Sequence, residues 1–292
     1  MTDRGQVFDL GYKPYEGERL GRSAAVRAIY RDGLRRVLGL RRRARSKILP
    51  WSLIAIALFP ALIFVTLSVF IADFGADQDL EFFTAPQYFE LLSVVTILFI
   101  ALAASELLVP DRIYGTLSVY ASRPVNMWDY IAARAASLAT VVVAFLLIPQ
   151  ILLVIGQGAV SDAGFFSYLG DHFEDIWKSA ITAALYLLAY APLAFLIASL
   201  AAKPSFATGI YAGVIFIGDG ASSGLVESGN DIFGLAPIGH HARYVRDAIF
   251  DVNLLEWIPE RAGFDEWVSL VVILVVAAVS FFFIARRYRS LL

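Results

Sequence analysis

Residues 50–72 read PWSLIAIALFPALIFVTLSVFIA, 23 consecutive positions without a charged side chain. A helix needs about 20 mostly apolar residues to cross the hydrocarbon core of a bilayer, and this run is long enough. Outward from it, five more stretches meet the same test: 88–109, 131–155, 176–201, 206–226 and 267–285. Backbone polar groups in lipid must be satisfied internally, so open-ended spans of this kind are helices. The predicted fold is an all-α integral membrane protein with six transmembrane helices. The composition agrees, with 59% hydrophobic and 17% charged residues in 292, where soluble domains carry about 25% charged residues. Two water-soluble domains, disorder and coiled coil are excluded on those numbers. The chain has no cysteine, which removes disulfides, thiolate zinc sites and cysteine nucleophiles.

A net charge of −2 conceals strong segregation. Residues 1–49 hold 13 of the 24 basic residues. With the N-terminus cytoplasmic, 20 basic residues fall inside and 4 outside, while 17 of the 26 acids fall outside. The excess of Lys and Arg on cytoplasmic loops therefore predicts both termini in the cytoplasm of a cell membrane. No cleavable signal peptide is read, because the first apolar run begins behind 49 polar and basic residues and is too long for a signal core. Lipidation motifs are not found either.

Residues 1–19 read as an extended arm. From Leu20, Val26, Ile29, Tyr30, Leu34, Val37 and Leu38 recur at helical spacing, with Arg27, Arg31, Arg35 and Arg36 on the other side. This predicts a basic amphipathic helix at the membrane surface, its arginines facing anionic head groups and its stripe facing acyl chains. Docking on a cytoplasmic partner is the second reading, and nucleic acid is not expected, since no reading module accompanies the patch. Arg41, Arg42, Arg43, Arg45 and Lys47 lead into the first span. The division is 1–49 as cytoplasmic arm and helix, 50–292 as the transmembrane domain, with 227–266 extracellular.

Between spans two and three lies SELLVPDRIYGTLSVYASRPV, residues 105–125. It is too polar for lipid and too apolar for a free loop. Leu117, Tyr120 and Ala121 fall at i, i+3 and i+4, predicting a short helix that presents them to a partner's groove, stopped by Pro124. Glu106, the Gly115-Thr116-Leu117 step, Arg123-Pro124-Val125 and Tyr130 together resemble the pattern of an ABC-2 type permease, the membrane subunit of ATP-binding-cassette exporters. The six-span layout, the preceding amphipathic helix and the long segment before span six add to that resemblance. It implies pairing with a second permease subunit, homo- or heteromeric, and docking of a separate cytoplasmic ATPase that carries ATP and Mg. The coupling candidates are Glu106, Asp111, Arg112, Tyr114, Gly115, Thr116, Leu117, Arg123 and Pro124. The family's outer segment holds short re-entrant helices; here that segment's acidity, 8 acids against 3 arginines, departs from the pattern.

The chain carries no Gly-x-x-x-x-Gly-Lys-Ser/Thr loop for nucleotide phosphates, so no enzyme activity and no cofactor are expected on it. Residues 220–224, GASSG, match the nucleophile-elbow pattern around Ser222, but an elbow requires a strand before and a helix after. The adjacent His240 and His241 are poor metal-ligand geometry, and no metal site is expected. Asp219, between Gly218 and Gly220, has three readings: outer loop if the span ends near Ile217, a structural or gate pairing, or a pathway residue where the helix unwinds. An ion-coupled secondary transporter using Asp219 is the alternative function; an embedded enzyme and a non-transporting anchor are weaker readings. Gly209-x-x-x-Gly213 is read as intramolecular packing before dimer contact, Pro60, Pro149 and Pro192 as kinks, and Glu106 with Arg134 as an ion pair.

Overall fold

A computed structural model describes residues 20–41, 44–73, 84–122 and 124–289. The arm 1–19, the basic positions Arg42 and Arg43, and Arg123 lie outside the described residues. Among the described residues there is no strand. The described residues form eleven α-helices in order: α1 (Arg22–Val37), α2 (Arg45–Asp73), α3 (Ala85–Ile113), α4 (Leu117–Ala121), α5 (Met127–Val160), α6 (Phe165–Asp171), α7 (Phe173–Leu200), α8 (Pro204–Glu227), α9 (Ile238–Phe250), α10 (Ile258–Arg261) and α11 (Glu266–Tyr288). A 3-10 turn, Asp231–Leu235, precedes α9. Among the described residues six helices (α2, α3, α5, α7, α8 and α11) are long and apolar enough to cross a membrane.

Helices α3 and α5 begin before their apolar runs, each at a capping box. At the start of α5, the Asn126 side chain accepts from the Asp129 N–H at 2.8 Å and the Asn126 N–H donates to the Asp129 carboxylate at 3.0 Å, a reciprocal box. Before α3, the Thr84 N–H donates to Gln87 at 3.0 Å. Helix α8 continues through its glycines to Glu227. The expected end near Ile217 and the expected unwinding at Asp219 are both corrected, since the interior glycines keep helical backbone.

Helix α3 is the axis of the bundle: 72% of its apolar window is buried, against 11% for α2 at the periphery. Phe99 of α3 stacks on Phe145 of α5, ring centroids 4.5 Å apart. Proline inside a helix frees backbone groups that lipid cannot satisfy. In α2 the Tyr88 hydroxyl of α3 meets that need beside Pro60, donating to the Ala57 carbonyl at 2.6 Å and accepting from the Ala61 N–H at 3.1 Å.

Helix α1 lies against α5 and α3. Ile29 and Val37 are in the core, and Val26, Tyr30, Leu34 and Leu38 pack onto it. The stripe expected to face acyl chains therefore faces protein. Gly33 permits this approach, because a Cβ there would sit 2.1 Å from Ser137 Oγ and 2.7 Å from Ser137 Cβ. The Gly209–Gly213 pair gives the opposite result: neither glycine has another element within contact distance. The expected intramolecular packing there is not made, and that stripe of α8 is open.

Candidate functional site

The first cluster lies where α1, the end of α3, α4 and the start of α5 meet. Asp111, in the last turn of α3, is 1% exposed. Its carboxylate takes Arg134 Nη2 at 2.6 Å, Arg36 Nη1 at 2.7 Å, the Tyr130 hydroxyl at 2.9 Å and the Thr116 hydroxyl at 2.8 Å. Arg134, itself fully buried, also reaches Asp32 at 3.0 Å, the Ile29 carbonyl at 3.3 Å and the Tyr120 hydroxyl at 3.2 Å. Arg36 closes the circuit onto Asp32 at 2.7 Å. Two carboxylates and two guanidiniums thus share one node, buried at Asp111 and Arg134 and open to solvent at Asp32. Such a node is stable only when every charge is paired and hydrogen-bonded. The Arg134 pairing expected near this boundary is made with Asp111 and Asp32, while Glu106 sits half-buried further up α3.

The turn from α3 into α4 grows from the same node. Gly115 adopts φ +66°, a left-handed position where a side chain costs about 1–2 kcal/mol. The Thr116 N–H reaches back to the Asp111 carbonyl at 3.0 Å, ending α3 in a Schellman-type cap. Helix α4 forms as predicted, but its faces are reversed from the expectation. Leu117 is 5% exposed and joins the core, and Tyr120 packs against that core with its hydroxyl on Arg134. Ile113, Tyr114 and Val119 project instead, Tyr114 being 79% exposed. Burial and the neighbouring Asp111 carboxylate hold the Tyr120 phenol above its ordinary pKa. Arg112 turns to the Ser199 carbonyl at the end of α7, where Arg287 Nε also donates at 2.8 Å. Pro124 is exposed in the loop before α5.

The second cluster is at the opposite end of the bundle, and the sequence reading did not assemble it. Arg246 of α9, fully buried, holds Asp247 at 2.6 Å, Glu90 of α3 at 2.7 Å and the Tyr186 hydroxyl of α7 at 3.2 Å. Trp257 donates its indole N–H to Asp247 at 2.7 Å, and the guanidiniums of Arg243 and Arg246 lie 5.7 and 5.5 Å from its ring. The available signal was the i, i+3, i+4 spacing of Arg243, Arg246 and Asp247 on one helix face.

Asp219 belongs beside this cluster. Its Oδ2 lies so close to Gly239 that a Cβ there would be 2.2 Å away, and the Gly239 backbone N–H hydrogen-bonds the carboxylate. A carboxylate on the free N–H groups and positive end of α9 is a favourable arrangement. This is a structural pairing of α8 with the first turn of α9. Ser222 is buried within the continuous α8, not on a strand-to-helix turn.

Burial pulls both His240 and His241 down to about 4, with Arg243 adding to the effect at His240. Each ring binds a proton in the unfolded chain below about 6.5 but not in the folded one until about 4. The contribution of these rings to stability is therefore complete above about 6.5 and is lost as pH drops, by up to about 1.4 kcal/mol per pH unit for each ring. Thermal melts between pH 7 and pH 5 check this, and His240→Phe should flatten the slope.

Compared with models of protein families and with curated proteins, the chain matches none.

Proposed function

We propose that this chain is the permease subunit of an ATP-driven ABC exporter. The observation that carries the reading is the α3–α4 turn, which presents Ile113, Tyr114 and Val119 outward from a root held by Asp111, Arg134 and Arg36. An apolar knob on a rigid ionic base can pass a push from a docked partner into α1, α3 and α5 together. In this reading the α1 end faces the cytoplasm, as the arginine-rich flanks favour. A partner ATPase, carrying ATP and Mg, docks on α4; its closure shifts a pair of permease subunits between states of different access. The open Gly209–Gly213 stripe supports a second subunit approaching α8.

The test is a tagged purification in mild detergent from the native host, with identification of co-purifying proteins and an ATP hydrolysis assay. A stoichiometric Walker-motif ATPase is expected. Val119→Asp should remove it, by placing charge on the exposed face, without changing the amount of membrane-inserted chain. Emergence of the chain alone, without hydrolysis in several detergents, overturns the reading.

A further inference from the structure

Between α1 and the α3–α4 turn lies a cavity of about 330 Å³ lined by Asp32, Arg35, Arg36, Arg41, Asp111 and Tyr114, among others. Its charge balance is uneven. Asp32 and Asp111 are already matched by Arg36 and Arg134 in the buried node. Arg35 and Arg41 have no carboxylate partner among the described residues, and both are exposed at the cavity. The cavity therefore has two surplus guanidiniums.

Its position in the fold bears on which anion these arginines would meet. Arg41 stands a few residues before the first span, Ser46–Ile71, and Tyr114 directly follows the second, Ala85–Ile113. Trp51, at the start of α2, is half exposed and donates to the Leu38 carbonyl at 3.1 Å, a tryptophan placed as at a membrane–water interface. Guanidinium pairs phosphate oxygens in a fork geometry, and juxtamembrane arginines gain from anionic lipid. We propose that this cavity seats the phosphate of an anionic lipid headgroup, held by Arg35 and Arg41. The seated lipid bridges α1 to the turn that carries α4, so lipid charge would set how firmly that turn is held. The inference rests on the orientation in the exporter reading, which puts this end at the cytoplasmic leaflet.

The test is native mass spectrometry of the full chain in mild detergent, titrated with dioleoylphosphatidylglycerol, dioleoylphosphatidylcholine or inorganic phosphate. Preferential retention of phosphatidylglycerol is expected. Arg35→Gln with Arg41→Gln should weaken it on the order of 30-fold, roughly fivefold for each charge. Arg27→Gln with Arg31→Gln, exposed on α1 but outside the cavity lining, should change it less than about twofold if one pocket, not the whole basic surface, is responsible. Equal loss in both double variants, or no preference of the wild-type chain for phosphatidylglycerol, overturns the proposal. Displacement of the lipid by inorganic phosphate at comparable concentration also overturns it, assigning a soluble-anion site. Should the glutamine variant misfold, the wild-type preference must still weaken with rising salt; a salt-independent preference overturns the proposal. The readout uses this chain alone, so a missing partner ATPase and a missing lipid preference are separate failures.

Discussion

Asp111→Ala is expected to cost about 3–5 kcal/mol of stability, because it leaves buried charge without its partner. Arg134 is fully buried and would keep only Asp32, itself partly exposed, as a counter-charge. Tyr130 and Thr116 would also lose the acceptor they now share. Asp111→Asn should cost less, since it keeps the shape and an oxygen for those hydroxyls. Replacing both partners, Asp111→Leu with Arg134→Met, should recover much of the loss, as apolar replacement of a whole buried pair often does. Thermal or denaturant unfolding in mild detergent reads all three. An Asp111→Ala protein as stable as the wild type would show that the node is not the root of α4. A second readout is local: proteolysis within α1 should accelerate, because α1 holds the node through Asp32 and Arg36.

Arg246→Met should have an effect of the same order, about 3–5 kcal/mol, at the other end of the molecule. It leaves Asp247, 2% exposed, with only the Trp257 indole and the Leu254 N–H at 3.3 Å. Glu90 loses its closest guanidinium and keeps Arg243 at 3.6 Å. Helix α9 then loses its shortest ionic tie to α3 and its hydrogen bond to Tyr186 of α7, so Trp257 emission should shift as its environment opens, while α1 proteolysis stays unchanged. Glu90 and Asp111 are 21 positions apart on α3, about 31 Å at 1.5 Å per residue. At that separation, without shared partners, the two substitutions should add within about 0.5 kcal/mol. Marked non-additivity would mean that the two ends communicate through the bundle.

The spans were legible because lipid depth imposes one demand on every residue of a long run, and that demand is visible one residue at a time. The short helix after Gly115 was legible too, from the i, i+3, i+4 spacing of Leu117, Tyr120 and Ala121 ahead of Pro124. Which face of that helix points outward was not. Leu117 and Val119 are both apolar, and only packing against the rest of the bundle decides that the first is covered and the second bare. The same holds for α1, whose stripe fits acyl chains and protein equally well until Gly33 is seen against Ser137. Asp219 could not be assigned from its neighbours, because its partner, the Gly239 amide, is a backbone group twenty positions away. By itself the sequence determined the six long apolar helices and the segregation of charge, both properties of local composition and period. The tertiary structure alone decided the two buried ionic nodes, because a guanidinium and a carboxylate distant in the chain are paired only by how the helices pack.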